Sequence, residues 1–486
     1  MGRGKRILAA SLTAVMLTSS FGVTVFAEGE EDAAQITQGD MAAENSEKTE
    51  EEIAAEEAAA KQASYDTPVD SNSLENWPTG PNVFAASAIV MDMDSGAILY
   101  SKRADEEHYP ASITKLLTVL VALENAELTD KVTFTEDCVN FLNWDDANIG
   151  MKAGEEITLE DALYGVLLAS ANEVSYAVAK NVGESMGVGY DGFIEEMNER
   201  AQQLGCTDSH WVNANGLHDG QHYTTAHDMA VIASAVYQQD EFCKIEQSLD
   251  YTIGKTNITD EERVFQQNHK MLWPENYYYY PYAKAGKTGY TDQAKTTLVT
   301  MADNGTLRLA AVVLGDYGVD AYTDTQSMLD YTFSNFQKIF LKDVETSEAI
   351  ESFVDKDAYI LMPGGIDFSD IDRKIVENTD NADTELRNAK AVYTYRGQVV
   401  GSAEVKLSDS YRKAQEKENG SDTDSSGKES DGSNNKNTSL KKLAPVVIGA
   451  TVFVILLIFL VRWIFEMKRR KARRRREVRQ KRGRHS

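Results

Sequence analysis

Tyr109-Pro110-Ala111-Ser112-Ile113-Thr114-Lys115-Leu116-Leu117-Thr118-Val119-Leu120-Val121 is the stretch from which the rest of the chain can be read. Ile113, Leu116, Leu117, Leu120 and Val121 recur at i, i+3, i+4, i+7 and i+8, which places them on one face of a helix. Ser112 and Lys115 stand three residues apart at its start, and residues i and i+3 are neighbours on a helix surface. A serine hydroxyl becomes a useful nucleophile when a base takes its proton, and an uncharged lysine amine within reach can be that base. Helix entry also leaves backbone N–H groups free, and these can hold a developing oxyanion. A Ser and a Lys at this spacing are common on helices, so the pair gains meaning only from its company.

Apolar runs flank this helix. Ala88–Met93 and Ala97–Tyr100 lie on either side of Asp94-Ser95-Gly96 and read as a hairpin. Thr296–Met301 and Leu307–Leu314, around Asp303-Asn304-Gly305, read as a second one. Between the hairpins the period is helical. Thr158 with Asp161 forms a capping box ahead of Leu159, Ala162, Leu163, Val166 and Leu167. Thr225 with Asp228 repeats the device, and Gly205 closes a helix carrying Ile194, Met197, Ala201 and Leu204. A last helix is expected from about Thr325 to Phe340. Strands that open and close the domain, with helices between, predict an antiparallel sheet flanked by helices in which the first and last strands meet. After Lys342, Ala358–Met362, Asp370–Val376, Ala389–Tyr395 and Gln398–Leu407 read as strands, so a small all-β domain is expected over 343–411.

Two further elements follow Ser112 and Lys115. Ser170-Ala171-Asn172 interrupts a helical stretch, and Lys287-Thr288-Gly289 precedes a strand. The three together, in this order and widely spaced, resemble the signature of penicillin-binding proteins and class A β-lactamases. The segment from Tyr109 to Thr118 is similar to the active-site segment of the D-alanyl-D-alanine carboxypeptidases, the low-molecular-mass penicillin-binding proteins. So are Asn213-Ala214-Asn215-Gly216-Leu217, His222-Tyr223-Thr224-Thr225-Ala226 with Asp228-Met229-Ala230, and Ala285-Gly286-Lys287-Thr288-Gly289-Tyr290-Thr291. The resemblance is strong over residues 83–340 and looser to about 409.

The resemblance implies an α/β (α+β) penicillin-binding/β-lactamase-like catalytic domain, here over 77–342, that works without metal or cofactor. It implies that Ser112 is the acylated nucleophile and Lys115 its general base. Ser170 would relay a proton to the leaving amine, and Asn172 would bond the substrate amide. Lys287 and Thr288 would bind the terminal carboxylate in a K-T-G strand completed by Gly289. The backbone N–H groups of Ser112 and Tyr290 would form the oxyanion hole. Peptidoglycan stem peptides and β-lactams are the implied partners. The physics agrees, because burial and a second cation at Lys287 would both help Lys115 lose its proton near neutral pH.

The chain departs from the family pattern in places. Ser170-Ala171-Asn172-Glu173 replaces Ser-Gly-Asn-Asp, and Ala294-Lys295 replaces Ala-Gly. Between Gly315 and Phe340, where relatives often carry a carboxylate-binding Arg, there is no Arg and one Lys, Lys338. Lys295 is the nearest unexpected cation to the K-T-G strand, and reads either as a solvated strand lysine or as a helper in carboxylate binding. His218, His222 and His227 match no H-E-x-x-H helix, so they read as structural or loop histidines. Tyr277–Tyr280 offer either an aromatic wall or packing between domains. Cys138, Cys206 and Cys243 are odd in number and widely spaced, which is no disulfide framework and reads as buried, inert thiols.

The two ends differ in kind. Arg3, Lys5 and Arg6 precede an apolar run to Phe26, so residues 1–27 read as a signal peptide cleaved after Ala27. Residues 28–76 form an acidic segment, read as disordered or as a loose solvated helix; its stretch Glu28–Asp66 has 13 acidic and two basic residues. A flexible linker is expected over 412–442, then a transmembrane helix at 443–461, 19 residues without a charge, and a basic tail at 462–486. The positive-inside rule places that tail in the cytoplasm and 28–442 outside, a single-pass membrane protein. The net charge of −28 hides this split: the leader carries +3 and the tail +11, so the stretch between carries −42. Such a surface excludes nucleic acid as a partner of the exported part. Four functions then compete. A β-lactamase would carry an E-x-x-L-N segment between Asn172 and Lys287, and none is there. A peptidoglycan endopeptidase or transpeptidase would use the same scaffold. A non-catalytic β-lactam- or wall-binding protein would not need every motif residue intact. The expectation is therefore a serine D-alanyl-D-alanine carboxypeptidase.

Overall fold

The computed structural model describes residues 49–377 and 388–420. The expected signal peptide, transmembrane helix and basic tail lie outside the described residues, as does most of the linker. Among the described residues no helix is long and apolar enough to cross a membrane.

Helix α1 (Glu50–Asp66) opens the described chain, with a capping box between Thr49 and Glu52 and no buried residue. Part of the acidic segment is therefore a solvated helix. The stretch after it is packed, with Val69 and Trp77 buried. Strands β1 (Ser87–Asp92) and β2 (Ile98–Lys102) form the first hairpin. A 3-10 turn at Ala111–Thr114 leads into α2 (Lys115–Asn125). A helical layer follows: α3 (Glu136–Val139) after β3 (Lys131–Thr133), then β4 (Glu156–Thr158), α4 (Leu159–Leu167), α5 (Asn172–Ser185), α6 (Gly189–Leu204), α7 (Ala226–Val236) and α8 (Asp240–Glu246). The small hairpin β5 (Asp250–Ile253) and β6 (Arg263–Gln266) precedes three long strands, β7 (Ala283–Thr291), β8 (Lys295–Asp303) and β9 (Arg308–Asp316). Helix α9 (Asp320–Asn335) completes the catalytic part.

The main sheet is antiparallel in the order β2-β1-β9-β8-β7, so the first hairpin meets the last strand, with Ser87 opposite Leu314 and Asp92 opposite Leu309. Every residue of β1 is buried because both faces of the sheet are covered. Ile89 and Met91 join the core with α2, α4, α5 and α7, while Ala88 and Val90 point to the other face, against which α9 packs. Each buried aliphatic side chain of this kind contributes roughly 1.5–3 kcal/mol. α2 itself runs through that core, with Lys115 to Ala122 all buried.

Two sequence expectations are corrected. Lys287-Thr288-Gly289 does not precede a strand but lies inside β7. The last helix does not run to Phe340. It starts at Asp320, ends at Asn335, and Phe336–Phe340 is strand β10, paired with β12 (Tyr359–Pro363) across α10 (Leu341–Val344) and β11 (Ile350–Phe353). Phe336 is buried against Trp77 and Tyr331, contacts that helix periodicity does not encode. With β13 (Asp372–Glu377), β14 (Asn388–Tyr395) and β15 (Gln398–Leu407), β11 builds a four-stranded sheet in the order β11-β15-β14-β13. This β region is bonded to the first hairpin: Gln398 Nε2 donates to Ile98 O at 3.1 Å, and the Tyr359 hydroxyl donates to Asp92 Oδ2 at 3.0 Å. The described residues through Ser408 form one compact unit. A second unit begins with α11 (Asp409–Gly420).

Candidate active site

Three parts of the fold converge on Ser112. The 3-10 turn carries it, the α4–α5 junction carries Ser170 and Asn172, and β7 carries Lys287 to Tyr290. The turn is held in an unusual shape. Ala111 has φ +50°, a left-handed conformation that costs a residue with a Cβ free energy and persists only where its surroundings enforce it. A chain of bonds does so. The Val212 N–H donates to His222 Nδ1 at 3.1 Å, so the proton sits on Nε2, which donates to Thr114 Oγ1 at 2.8 Å. Thr114 in turn donates to Ala111 O at 2.8 Å. Burial pulls His222 down to about 3, which keeps the imidazole neutral as this chain requires. From the sheet side, Thr297 Oγ1 donates to Pro110 O at 2.8 Å. His222 is therefore a structural histidine behind the nucleophile. Among the described residues no group of three or more His, Cys, Asp or Glu could hold a metal.

Lys115 is fully buried, and its amine has three oxygen neighbours: Ser112 Oγ at 2.9 Å, Asn172 Oδ1 at 2.8 Å and Asn215 O at 2.6 Å. An uncharged amine has two N–H bonds and one lone pair. Asn172 and Asn215 accept the two hydrogens, which leaves the lone pair for the Ser112 hydroxyl. Burial first, and then the positive charge of Lys287, push Lys115 well below the usual lysine range, while Glu173 and Asp146 oppose them. The geometry thus sets the Ser112 hydroxyl beside an amine whose surroundings favour its uncharged form.

Asn215 is the residue that sequence reasoning left without a role. Asn213 Oδ1 accepts from Gly216 N at 2.7 Å and Asn215 Oδ1 from Leu217 N at 3.0 Å, so the Asn-Ala-Asn-Gly-Leu segment folds on itself and presents the Asn215 carbonyl. Thr118 of α2 fastens it by donating to Ala214 O at 2.7 Å. Gly216 must be glycine: it has φ +85°, and a Cβ there would lie 1.9 Å from Ala111 O. The same constraint explains Gly289. A Cβ on it would lie 2.9 Å from the Ser112 N, so β7 can approach the nucleophile's backbone only without a side chain.

The remaining motif residues are placed as follows. Ser170 sits at the α4–α5 break with φ +60° and is buried. Lys287 is 1% exposed, and its ammonium donates to Thr288 O at 3.0 Å. Thr288 is half-buried, Gly289 buried, and Tyr290 exposed at the rim with its hydroxyl 3.2 Å from Asp292 Oδ1. Glu173, the departure from Asp, is buried and accepts from Ile149 N at 2.8 Å, while Asn172 N donates to Ala147 O at 2.8 Å. Both bonds tie the loop before β4 to the start of α5. Lys295, with φ +56°, does not turn toward Lys287 for a partner. Its ammonium lies 3.4 Å from Glu57 Oε1 of α1. Tyr278 stacks on Tyr322, and Tyr280 bonds Asp330 Oδ1 at 2.8 Å, so these tyrosines pack β7's approach against α9. The three cysteines are free, and burial pushes each thiol upward.

Fold and site together set a buried lysine amine beside a serine hydroxyl at the start of α2, with Asn172 on the same amine. The family described as D-alanyl-D-alanine carboxypeptidase, peptidase S11, matches residues 75–318, and the chain belongs to it. Among relatives, the carboxypeptidase DacF of Bacillus subtilis is 28% identical over 355 residues, covering 68% of this chain and 86% of DacF. DacB2 of Mycobacterium tuberculosis is 33% identical over 249 residues, covering 50% of this chain and 77% of that one. The Streptomyces K15 DD-transpeptidase structure is 27% identical, with a TM-score of 0.49, and covers 53% of this chain and all of its own.

Proposed function

We propose that this chain is a serine-type D-alanyl-D-alanine carboxypeptidase that removes the terminal D-Ala from peptidoglycan stem peptides and is acylated by β-lactams. The observation that carries this reading is the fully buried Lys115 amine, 2.9 Å from Ser112 Oγ. In the proposed cycle Ser112 passes its proton to Lys115 as Oγ attacks the D-Ala–D-Ala carbonyl. The oxyanion is held by the backbone N–H groups of Ser112 and Tyr290. Asn172 bonds the substrate amide, and Lys287 and Thr288 take the terminal carboxylate. The proton returns through Ser170 to the departing amine, D-Ala leaves, and water hydrolyses the ester by the same groups in reverse. The test is release of D-Ala from a pentapeptide without a cross-linked dimer. Dimer formation in place of D-Ala release would favour the transpeptidase alternative, and penicillin binding without turnover the non-catalytic one.

The same reading makes the chain a single-pass membrane protein. Its support is the sequence: the leader to Ala27, the uncharged span at 443–461 and the +11 tail, with the catalytic and β regions outside. The domain limits 77–342 and 343–411 and the linker 412–442 belong to this proposal.

A further inference from the structure

The motif residues leave one ionisable side chain behind the cleft unexplained. Glu246, the last residue of α8, has no exposed surface. Its Oε2 accepts from the Gly286 N–H at 3.1 Å and from Gln267 Nε2 at 3.2 Å, and its Oε1 has no partner. Gly286 is the residue before Lys287 in β7. A buried carboxylate with an orphan oxygen is destabilising unless a positive charge offsets it. The bonds themselves do not need a charge, since a glutamine could accept from Gly286 through its amide oxygen. The next residue along β7 is the cation Lys287, itself buried, whose ammonium donates to Thr288 O.

We propose that Glu246 is a positioning residue for the carboxypeptidase reaction: its buried carboxylate, fixed to the backbone of β7 one residue before Lys287, is the counter-charge that keeps Lys287 an ammonium able to bind the substrate's terminal carboxylate. This rests on the carboxypeptidase reading above. Burial drives both groups toward neutrality, Glu246 upward and Lys287 downward, and the charge of each opposes that drift in the other. Lys287 also faces Lys115 from α2 and His269 from the segment after β6. His269 is fully buried and pulled down to about 4, so it brings no charge at working pH. Burial first, then the charges of Asp240 and Glu246, push the half-buried Cys243 thiol up to about 11, so it stays neutral as well. Glu246 is then the group that favours charge on Lys287.

The sign follows. Without the carboxylate, Lys287 loses its proton at lower pH. Carboxylate binding is present below the Lys287 pKa and lost above it, so the alkaline limb of kcat/KM moves down. The experiment compares wild type, Glu246→Gln and Glu246→Asp on a D-Ala-D-Ala peptide and on an ester lacking the terminal carboxylate, across pH. For Glu246→Gln the peptide's alkaline limb shifts down by about one pH unit or more. KM rises more than kcat falls, and the alkaline limb of the ester profile stays put. Glu246→Asp restores part of the limb. If Glu246→Gln is too unstable to assay, Glu246→Asp alone carries the test, with a smaller shift in the same direction. An active wild type whose alkaline limb is shared by the assayable variant, or an equal shift on both substrates, overturns the proposal. A wild type that neither releases D-Ala nor takes up labelled penicillin overturns the carboxypeptidase reading and this proposal with it.

Discussion

The proposed role of Lys115 as a base rests on where it is, and the pH dependence of that role follows from its surroundings. Its folded pKa is depressed, by burial first and by Lys287 second, so the uncharged amine dominates above that pKa and is lost as pH falls through it. Acylation by a β-lactam is therefore expected to be full near neutral pH and to fall on acidification. Stopped-flow rates from pH 8 downward check this, and a rate independent of pH down to 4 would contradict it. Lys115→Ala should slow acylation by about 10²–10⁴-fold, the usual contribution of a positioned base. Lys295 invites the opposite expectation. It is half-exposed and paired with Glu57 of α1 at 3.4 Å, and exposed pairs contribute little. Lys295→Ala should change kcat/KM by less than about fivefold on carboxylate and ester substrates alike. A larger loss confined to the carboxylate substrate would make Lys295 a ligand after all. The proposed catalytic residues Ser112, Lys115, Ser170 and Asn172 and the K-T-G residues were legible as types and spacings. The strained φ of Ala111 and Ser170, the Asn215 carbonyl and the buried Glu246 were not, because backbone strain and long-range burial leave no local pattern.

At the scale of elements, what could be read was what repeats locally. The capping box at Thr158 starts α4 and the left-handed Gly205 closes α6 where the sequence places them. The boundary between α9 and β10 failed because Met328, Leu329, Phe333 and Phe336 satisfy a helical period, while the pairing of Phe336 with Pro363 is decided 27 residues away in the chain. β9 and α9 also share a buried acid pair. Asp316 and Asp324 are both buried, and Asp324 Oδ2 accepts from the Ala85 N–H at 3.2 Å; burial raises both above the carboxylate range, the charge of Asp324 lifts Asp316 further, and a hydrogen bond from Asp316 partly offsets the rise of Asp324. A native state that holds a proton the unfolded chain has released loses stability as pH rises from the ordinary carboxylate pKa through the raised one. Asp316→Asn removes that titration. Its thermal midpoint should fall less than wild type's between pH 4 and 8, by scanning calorimetry. Parallel pH profiles for the two proteins would show that the pair does not share a retained proton.

For the whole molecule, the sequence separated regions by composition, and the structure adds how the β region meets the rest. Tyr359, Gln398 and Ser402 bond the first hairpin, and Trp77 lies between Phe336 and Tyr395, so β12 and β15 are built onto the sheet through side chains that no local pattern marks as interfacial. The charge split sets the topology proposed above. Protease added to intact spheroplasts should remove the catalytic region and spare a tag at Ser486. The reverse pattern would overturn the orientation. The measurement that bears most directly on the account is the site of acylation. Labelled penicillin, incubated with the full chain and followed by peptic digestion and mass spectrometry, should mark the peptide carrying Ser112, with the label lost in Ser112→Ala. A label on another serine, or none on a folded protein, would contradict it.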